Sequence, residues 1–345
     1  MRILVTGSEG YIGALLVPML TNAGHEVVGL DSGLFESCTI GPGGDAVQTI
    51  RLDIRDVEPE HLDGFDGVAH LAGISNDPLG DLNPDTTYEI NHRATTRLAE
   101  AAKAAGVERL VFSSSCSLYG AHGNDLIDES ADFLPVTPYG ESKVLAEADL
   151  NKLADDDFSP VFLRNATAYG FSHRLRGDLV VNNLVGYAVA QGEVLMKSDG
   201  SPWRPLVHIE DISLAFLAAL EAPRDAVHTE AFNIGRTEEN YRVREVAEIV
   251  AGVVSGTRLA FAEEAGPDKR NYRVDCTKAE TSLPGYEPTW TVRRGVEELY
   301  DAYKRYDMDI DSLTGPRLQR IKRIQSLVSD GRLGQDLRWN SAISG

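Results

Sequence analysis

A strand, a glycine turn and a helix in immediate succession leave a chain few folds to choose from. Residues 3–6 are apolar, Gly7-Ser8-Glu9-Gly10-Tyr11-Ile12-Gly13 follows, and 12–23 has helical length and stops near Gly24. Glycine is needed where a chain turns sharply, where backbone must approach a phosphate, and where helix packs tightly on strand. The helix start adds free N–H groups and the positive end of a dipole, which attract anions. A second apolar run, 26–30, ends at Asp31, eighteen residues beyond Gly13. A carboxylate there accepts hydrogen bonds from ribose hydroxyls and repels a 2′-phosphate, so the pattern predicts a site for NAD and not NADP. In this reading Gly7, Gly10, Tyr11, Ile12 and Gly13 line the site, and Asp53 and Ile54 flank the adenine. Leu71-Ala72-Gly73 lets the dinucleotide pass close to backbone.

Further apolar runs at 47–52, 67–71, 109–113 and 160–163 alternate with helical stretches at 88–105 and 139–153. Several runs are apolar on both faces, as strands are when helices cover both sides of a parallel sheet. The expected fold class is therefore α/β, a Rossmann-type doubly wound parallel sheet. With 345 residues the chain exceeds the ~250–300 that a single core usually holds. Residues 1–165 read as the NAD-binding domain, to which later segments return, and 166–310 as a smaller substrate lobe interleaved with it. Within that lobe 172–177 is a basic loop, 180–191 a helix, 205–209 a strand and 212–220 a second helix. Residues 311–345 read as a helical extension, where Leu318, Ile321, Ile324 and Leu327 recur at the spacing of an amphipathic helix docked by one face.

Net charge narrows the partners. Lys and Arg number 33 against 53 Asp and Glu, a balance of −20, so the chain lacks the positive footprint of a nucleic-acid binder. No run approaches the ~18 apolar residues of a membrane span, and residues 1–7 lack a signal-peptide layout, so a cytoplasmic location is expected. Cys38, Cys116 and Cys276 are odd in number and lack metal-ligand spacing, which fits a reducing compartment; no metal site is expected.

A second constellation suggests chemistry. In Thr137-Pro138-Tyr139-Gly140-Glu141-Ser142-Lys143 the tyrosine and lysine lie four apart, on one helical face. A phenol is a poor base near neutral pH, but a neighbouring ammonium stabilises the phenolate, so the pair can shuttle a proton. Phe112-Ser113-Ser114-Ser115 stands at the carboxyl end of the fifth strand, where α/β sheets bind ligands. Ser113 borders the cofactor there, and Ser115 can hydrogen-bond a substrate oxygen beside Tyr139. Cys116 has no histidine near it in sequence and reads as buried packing.

With these motifs in hand, the chain resembles the extended short-chain dehydrogenase/reductase family, and within it the NAD-dependent nucleotide-sugar epimerase/dehydratase group. The resemblance implies Ser115, Tyr139 and Lys143 as the catalytic triad, with Lys143 also binding the nicotinamide ribose and depressing the tyrosine pKa. It implies that Asn91 organises the active site and borders the cofactor. Asn182-Asn183-Leu184 resembles the group's nucleotide-sugar contact, Arg204 its diphosphate clamp and Arg270 a second clamp. The loop from Ser75 to Pro84 would overhang the sugar. The implied partner is a nucleotide-diphosphate sugar, and the implied assembly is a homodimer through helices 88–105 and 139–153. The activity implied is epimerisation through a keto intermediate; a dehydrogenase or 4-ketoreductase with net redox needs the same triad, and a non-catalytic dinucleotide sensor would not need it.

Departures from the family pattern narrow this further. Dehydratases of the group carry Asp-Glu directly after the catalytic Ser or Thr, where this chain has Cys116 and Ser117, and its decarboxylases carry Glu at the position of Ser117. Thr167 stands where an asparagine is usual.

Overall fold

The computed structural model describes residues 1–43, 47–75, 77–266 and 271–340. Seven parallel strands form the main sheet: β1 Arg2–Thr6, β2 Glu26–Asp31, β3 Thr49–Arg51, β4 Gly67–His70, β5 Arg109–Ser115, β6 Ser159–Asn165 and β7 Ala231–Ile234. Their spatial order is β7-β6-β5-β4-β1-β2-β3, so the strand order reverses between β1 and β4. Pairing of Thr6 with His70 and of Ser115 with Asn165 brings the carboxyl ends of the central strands level.

Alternation along each strand fills two cores. Ile3, Val5, Val111 and Val161 face one side with Leu16 and Leu20 of α1 (Gly13–Asn22), while Leu4, Leu110 and Phe112 face the other with Leu98 of α2 (Ala94–Ala104) and Leu150 of α3 (Pro138–Leu153). This is the doubly wound arrangement. The helix expected at 88–105 begins earlier, at Pro84–Tyr88, with the Asn83 side chain capping Thr86 N, and passes through a π turn at Glu89–Arg93 before α2. An Asn-Pro pair starts a helix because the side chain caps and the proline needs no N–H partner. Strand β7 was not anticipated, since its four residues are too short to show a period, and it returns the chain to β6 after the lobe.

In the second half, α4 (Val180–Gln191) matches the expected span, and the strand Trp203–His208 pairs with Thr167–Tyr169 and Asn240–Arg242. The helix expected at 212–220 runs longer, as α5 (Ile209–Glu221), because the His208 side chain caps it at Glu210 N. Helix α6 (Arg320–Ser329) docks Ile324 and Leu327 onto the second of these two cores, near the short helix Asp77–Gly80. No helix among the described residues is long and apolar enough to cross a membrane.

Candidate active site

The carboxyl ends of β1, β2, β4, β5 and β6 open into one cleft, the position at which open α/β sheets bind ligands. Gly7, Gly10, Tyr11, Ile12 and Gly13 line it, followed by Asp31, Asp53, Ile54, Leu71, Ala72, Gly73 and Ser75. Ser113, Ser115, Tyr139 and Lys143 complete the far wall. Two glycines are required by geometry: a Cβ on Gly7, whose φ is +72°, would stand 2.8 Å from Ala72 N, and one on Gly13 would stand 2.4 Å from the Gly7 carbonyl. The turn and the Leu71–Gly73 segment are thus pressed together with no room for side chains. Tyr11 sends its hydroxyl out of the cleft, to the Gly170 carbonyl at 2.6 Å, pinning the turn to the lobe.

Asp31 accepts from Glu9 N at 3.1 Å and Gly33 N at 2.8 Å; burial raises its pKa, and these two bonds oppose the rise. Asp53 carries a different load. Burial pushes its carboxyl up, but its bonds to the Arg55 side chain and backbone, 2.6 to 2.9 Å long, outweigh that and hold it below the usual range. Under the floor, Thr6 Oγ1 accepts from Ala72 N at 3.2 Å and meets His70 Nδ1 at 2.7 Å, while His70 Nε2 meets Thr95 Oγ1 at 2.8 Å. Burial, helped by the Lys143 charge, pushes His70 down to about 3, so it stays neutral.

At the far wall, Thr137 Oγ1 caps α3 at Gly140 N and Pro138 takes the first helical position, so Tyr139 and Lys143 lie on the inward stripe. Ser115, the last residue of β5, hydrogen-bonds the Tyr139 phenol and accepts from Ser117 N at 3.1 Å. Lys143 Nζ donates to the Ser113 carbonyl at 2.7 Å and sits 5.8 Å from the Tyr139 ring centre. The expected depression of the phenol by Lys143 is not present. Burial raises Tyr139 to about 12 against the opposing Ser115 bond, and burial lowers Lys143 to about 7. The protein alone therefore holds a neutral phenol, because desolvation of both groups exceeds what a cation at that distance returns.

Asn91 lies on the π turn, a feature frequent at functional sites, and is fully buried. Its Oδ1 accepts from Ile74 N at 2.7 Å and its Nδ2 donates to the Ile74 carbonyl at 2.9 Å and Ser142 Oγ at 3.3 Å. It lies behind the lining and fixes the backbone after Gly73. Sequence reasoning missed Glu147, one turn beyond Lys143, which accepts from Ser114 Oγ at 2.5 Å and pairs with Arg164 at 2.8 Å. The spacing from Lys143 was the available signal.

On the substrate side the expected residues stand back from the cleft wall. Asn182 gives Nδ2 to Tyr11 Oη at 2.9 Å and the Arg176 carbonyl at 3.0 Å and takes Gly170 N at 3.1 Å, so its amide is spent on the protein. Asn183 donates to the Gly177 carbonyl at 2.8 Å and Leu184 is buried in the core. Arg204 is buried and donates to the Trp203 carbonyl at 2.7 Å. None of these four lines the cleft. Arg270 lies outside the described residues. A different arginine does enter: Arg176, from the basic loop, donates to Ser75 Oγ at 3.0 Å, pairs with Asp178 at 2.7 Å, and lowers the Tyr139 pKa through its charge. Cys116 donates to the Arg164 carbonyl at 3.1 Å and burial raises its thiol pKa; Ser117 lines the cleft with a hydroxyl where elimination chemistry would need a carboxyl.

The cleft fits a dinucleotide. Its glycine turn leaves backbone exposed at the start of α1, Asp31 stands at the tip of β2, and two lining residues hold buried polar atoms without partners among the described residues, Asn165 Oδ1 and Arg320 Nη1.

Comparison with known proteins agrees. A UDP-glucose 4-epimerase of Mycolicibacterium smegmatis is 31% identical, over 88% of this chain and 99% of its own. One from Bacillus subtilis is 29% identical over 87% and 94%. Among solved structures, MoeE5 in complex with UDP-glucose and NAD superposes with a TM-score of 0.75 at 30% identity, covering 88% of this chain and 99% of its own. The model of the NAD dependent epimerase/dehydratase family matches residues 3–235, and the chain belongs to that family.

Proposed function

We propose that the protein is an NAD-dependent epimerase acting on a nucleotide-diphosphate sugar through a transient keto form. One observation carries this: Ser115, Tyr139 and Lys143 meet in the cleft that the glycine turn opens, while Cys116 and Ser117 occupy the positions where elimination would need an acid and a base. The relatives support the substrate class, since they are named for UDP-glucose or were solved with it.

Gly7 to Gly13, Asp31, Asp53 and Leu71 to Gly73 would hold the cofactor, with Lys143 and Ser113 at its reactive end. NAD, when bound, supplies a reversible two-electron redox partner. Tyr139 takes a proton from the sugar hydroxyl at its Oη and later returns one to the same oxygen. Ser115 donates to the phenolate and orients the sugar oxygen beside it. Arg176 adds a positive field that favours the phenolate. Lys143, lowered by burial to about 7, is held by the Ser113 carbonyl at the reactive end of the cleft. Return of the proton together with inversion at the oxidised carbon, with no net redox, makes the reaction an epimerisation.

The same reading includes a cytoplasmic location, supported by the buried thiols of Cys38, Cys116 and Cys276. It also includes a homodimer through the outer faces of the stretch 88–105 and α3, which Tyr88–Glu141 at 2.6 Å and His92–Asp149 at 2.7 Å tie together and where Leu145 is exposed. Sedimentation that finds only monomer at micromolar concentration overturns the dimer. The test of function releases and identifies bound nucleotide from denatured protein, then offers UDP-, GDP-, CDP- and dTDP-sugars to the native enzyme. NAD retained near one per chain, an interconverted sugar and no accumulating NADH support the epimerase. Stoichiometric NADH indicates the dehydrogenase or reductase, and full turnover by Tyr139→Phe refutes the proton shuttle.

A further inference from the structure

The C-terminal segment reaches the cleft from outside the span that the family model matches, which ends at residue 235. Arg320, the first residue of α6, lines the cleft, although it is 289 positions from Asp31 in sequence. It is 2% exposed. One guanidinium nitrogen, Nη2, donates to the Arg174 carbonyl at 2.9 Å, and the group lies over the Phe35 ring at 4.3 Å, beside Cys38. Nη1 has no hydrogen-bond partner, and among the described residues Arg320 makes no ion pair. The Asp178 carboxylate favours its charge but is already paired with Arg176 at 2.7 Å, and a buried guanidinium with a free N–H ordinarily faces a further anionic group.

The segment around Arg320 is fastened to both sides of the cofactor wall. Arg323 Nε donates to the Leu34 carbonyl at 3.3 Å, and Trp339 Nε1 donates to the Ser32 carbonyl at 2.7 Å, both in the turn after Asp31. Across the cleft, Arg55 Nη1 donates to the Asp336 carbonyl at 2.7 Å and Arg338 pairs with Asp56 at 2.6 Å, next to Asp53. Between these ties Ile324 and Leu337 add an apolar lining. The strap therefore bridges the carboxyl ends of β2 and β3.

We propose that Arg320 binds the diphosphate of the dinucleotide and that residues 318–340 form a strap that retains it. The proposal rests on the reading of the cleft as an NAD site. The anion needed is a diphosphate, which both NAD and a nucleotide sugar carry. Phe35, Ile324 and Leu337 place Arg320 on the Asp31 wall and favour the cofactor, whereas Arg176 beside Tyr139 and Ser75 stands on the substrate side.

The test uses the full chain stripped of nucleotide, with NAD and UDP titrated separately by protein fluorescence or calorimetry. Arg320→Met, which fills the same space without charge, is expected to weaken NAD binding about 10- to 100-fold, the range for a charged hydrogen bond. It should speed exchange of bound NAD and leave UDP binding within twofold. Arg320→Lys should fall between the two, which separates lost charge from lost packing. NAD affinity within twofold of the parent, at an unchanged unfolding midpoint, overturns the proposal. So does a loss confined to UDP. If the parent binds UDP but no dinucleotide at all, the NAD reading itself fails, an outcome distinct from failure of the strap.

Discussion

Replacing Ser115 by alanine tests whether the strand end controls the proton shuttle. Burial holds the Tyr139 phenol up near 12, and the Ser115 hydroxyl provides the largest opposing effect, ahead of the Arg176 charge. A hydrogen bond to a charged group contributes about 1.5–3 kcal/mol. At about 1.4 kcal/mol per pKa unit, its removal raises the phenol by about one to two units. The base form of Tyr139 then becomes scarcer at every pH below its pKa, so kcat/KM falls about 10- to 100-fold at neutral pH. The rising limb of the profile moves to higher pH by the same one to two units, and because the phenol lies up near 12 the fold loss stays constant over the pH range assayed. Ser115 also accepts from Ser117 N, so the variant loses a cap of about 1 kcal/mol, visible as a lower unfolding midpoint. Ser115→Thr keeps the hydroxyl and should restore both. The assay is coupled sugar interconversion from pH 5.5 to 9.5 with the bound cofactor quantified. A kcat/KM within about twofold of the parent across that range refutes the reasoning, because the Ser115 hydroxyl would then not be what holds the phenol pKa down.

Glu147→Ala leaves the Arg164 guanidinium buried without its carboxylate and should cost about 3–5 kcal/mol in urea unfolding; equal stability would show that the pair is not worth its desolvation. The same variant removes the group that raises the Lys143 pKa, so any titration seen for Lys143 should move below about 7. His70, lowered to about 3, should give imidazole resonances that do not move between pH 5 and 8. Its folded pKa lies below the unfolded value near 6.5, so the unfolded chain binds more protons between them, and this contribution to stability is complete above pH 6.5 and is lost as pH falls toward 3. A His70 midpoint near 6 would contradict that.

Local spacing made the cofactor half of the site legible. The Gly7–Gly13 turn, Asp31 and the Tyr139–Lys143 interval each need only a few neighbouring residues to specify them, and all line the cleft. The substrate half was less legible because it depends on where long connections lead. Asn182 matched by type, but its amide is consumed by Tyr11 and by the backbone of Gly170 and Arg176. Arg176 and Arg320 reach the cleft from a loop and from the C-terminal segment, and no periodicity in sequence marks either arrival. The phenol was misjudged for a different reason. Spacing sets which groups are near, whereas desolvation sets which protonation state survives, and burial cannot be read from an interval of four.

The three serines of β5 show how the two requirements meet. Helix α3 presents Tyr139, Lys143 and Glu147 at successive turns, and each meets one residue of the strand: the phenol meets the Ser115 hydroxyl, the ammonium the Ser113 carbonyl, and the carboxylate the Ser114 hydroxyl. Charge increases along this ladder away from the cleft. Tyr139 faces the cleft and stays neutral, Lys143 is lowered by burial to about 7, and Glu147 is locked in an ion pair with Arg164. Glu147 acts on Lys143 to favour its charged form, against burial. The buried ion pair is thus more than ballast for the fold. It raises the pKa of the lysine against the lowering by burial, and the balance leaves Lys143 near 7 between the neutral phenol and the paired carboxylate.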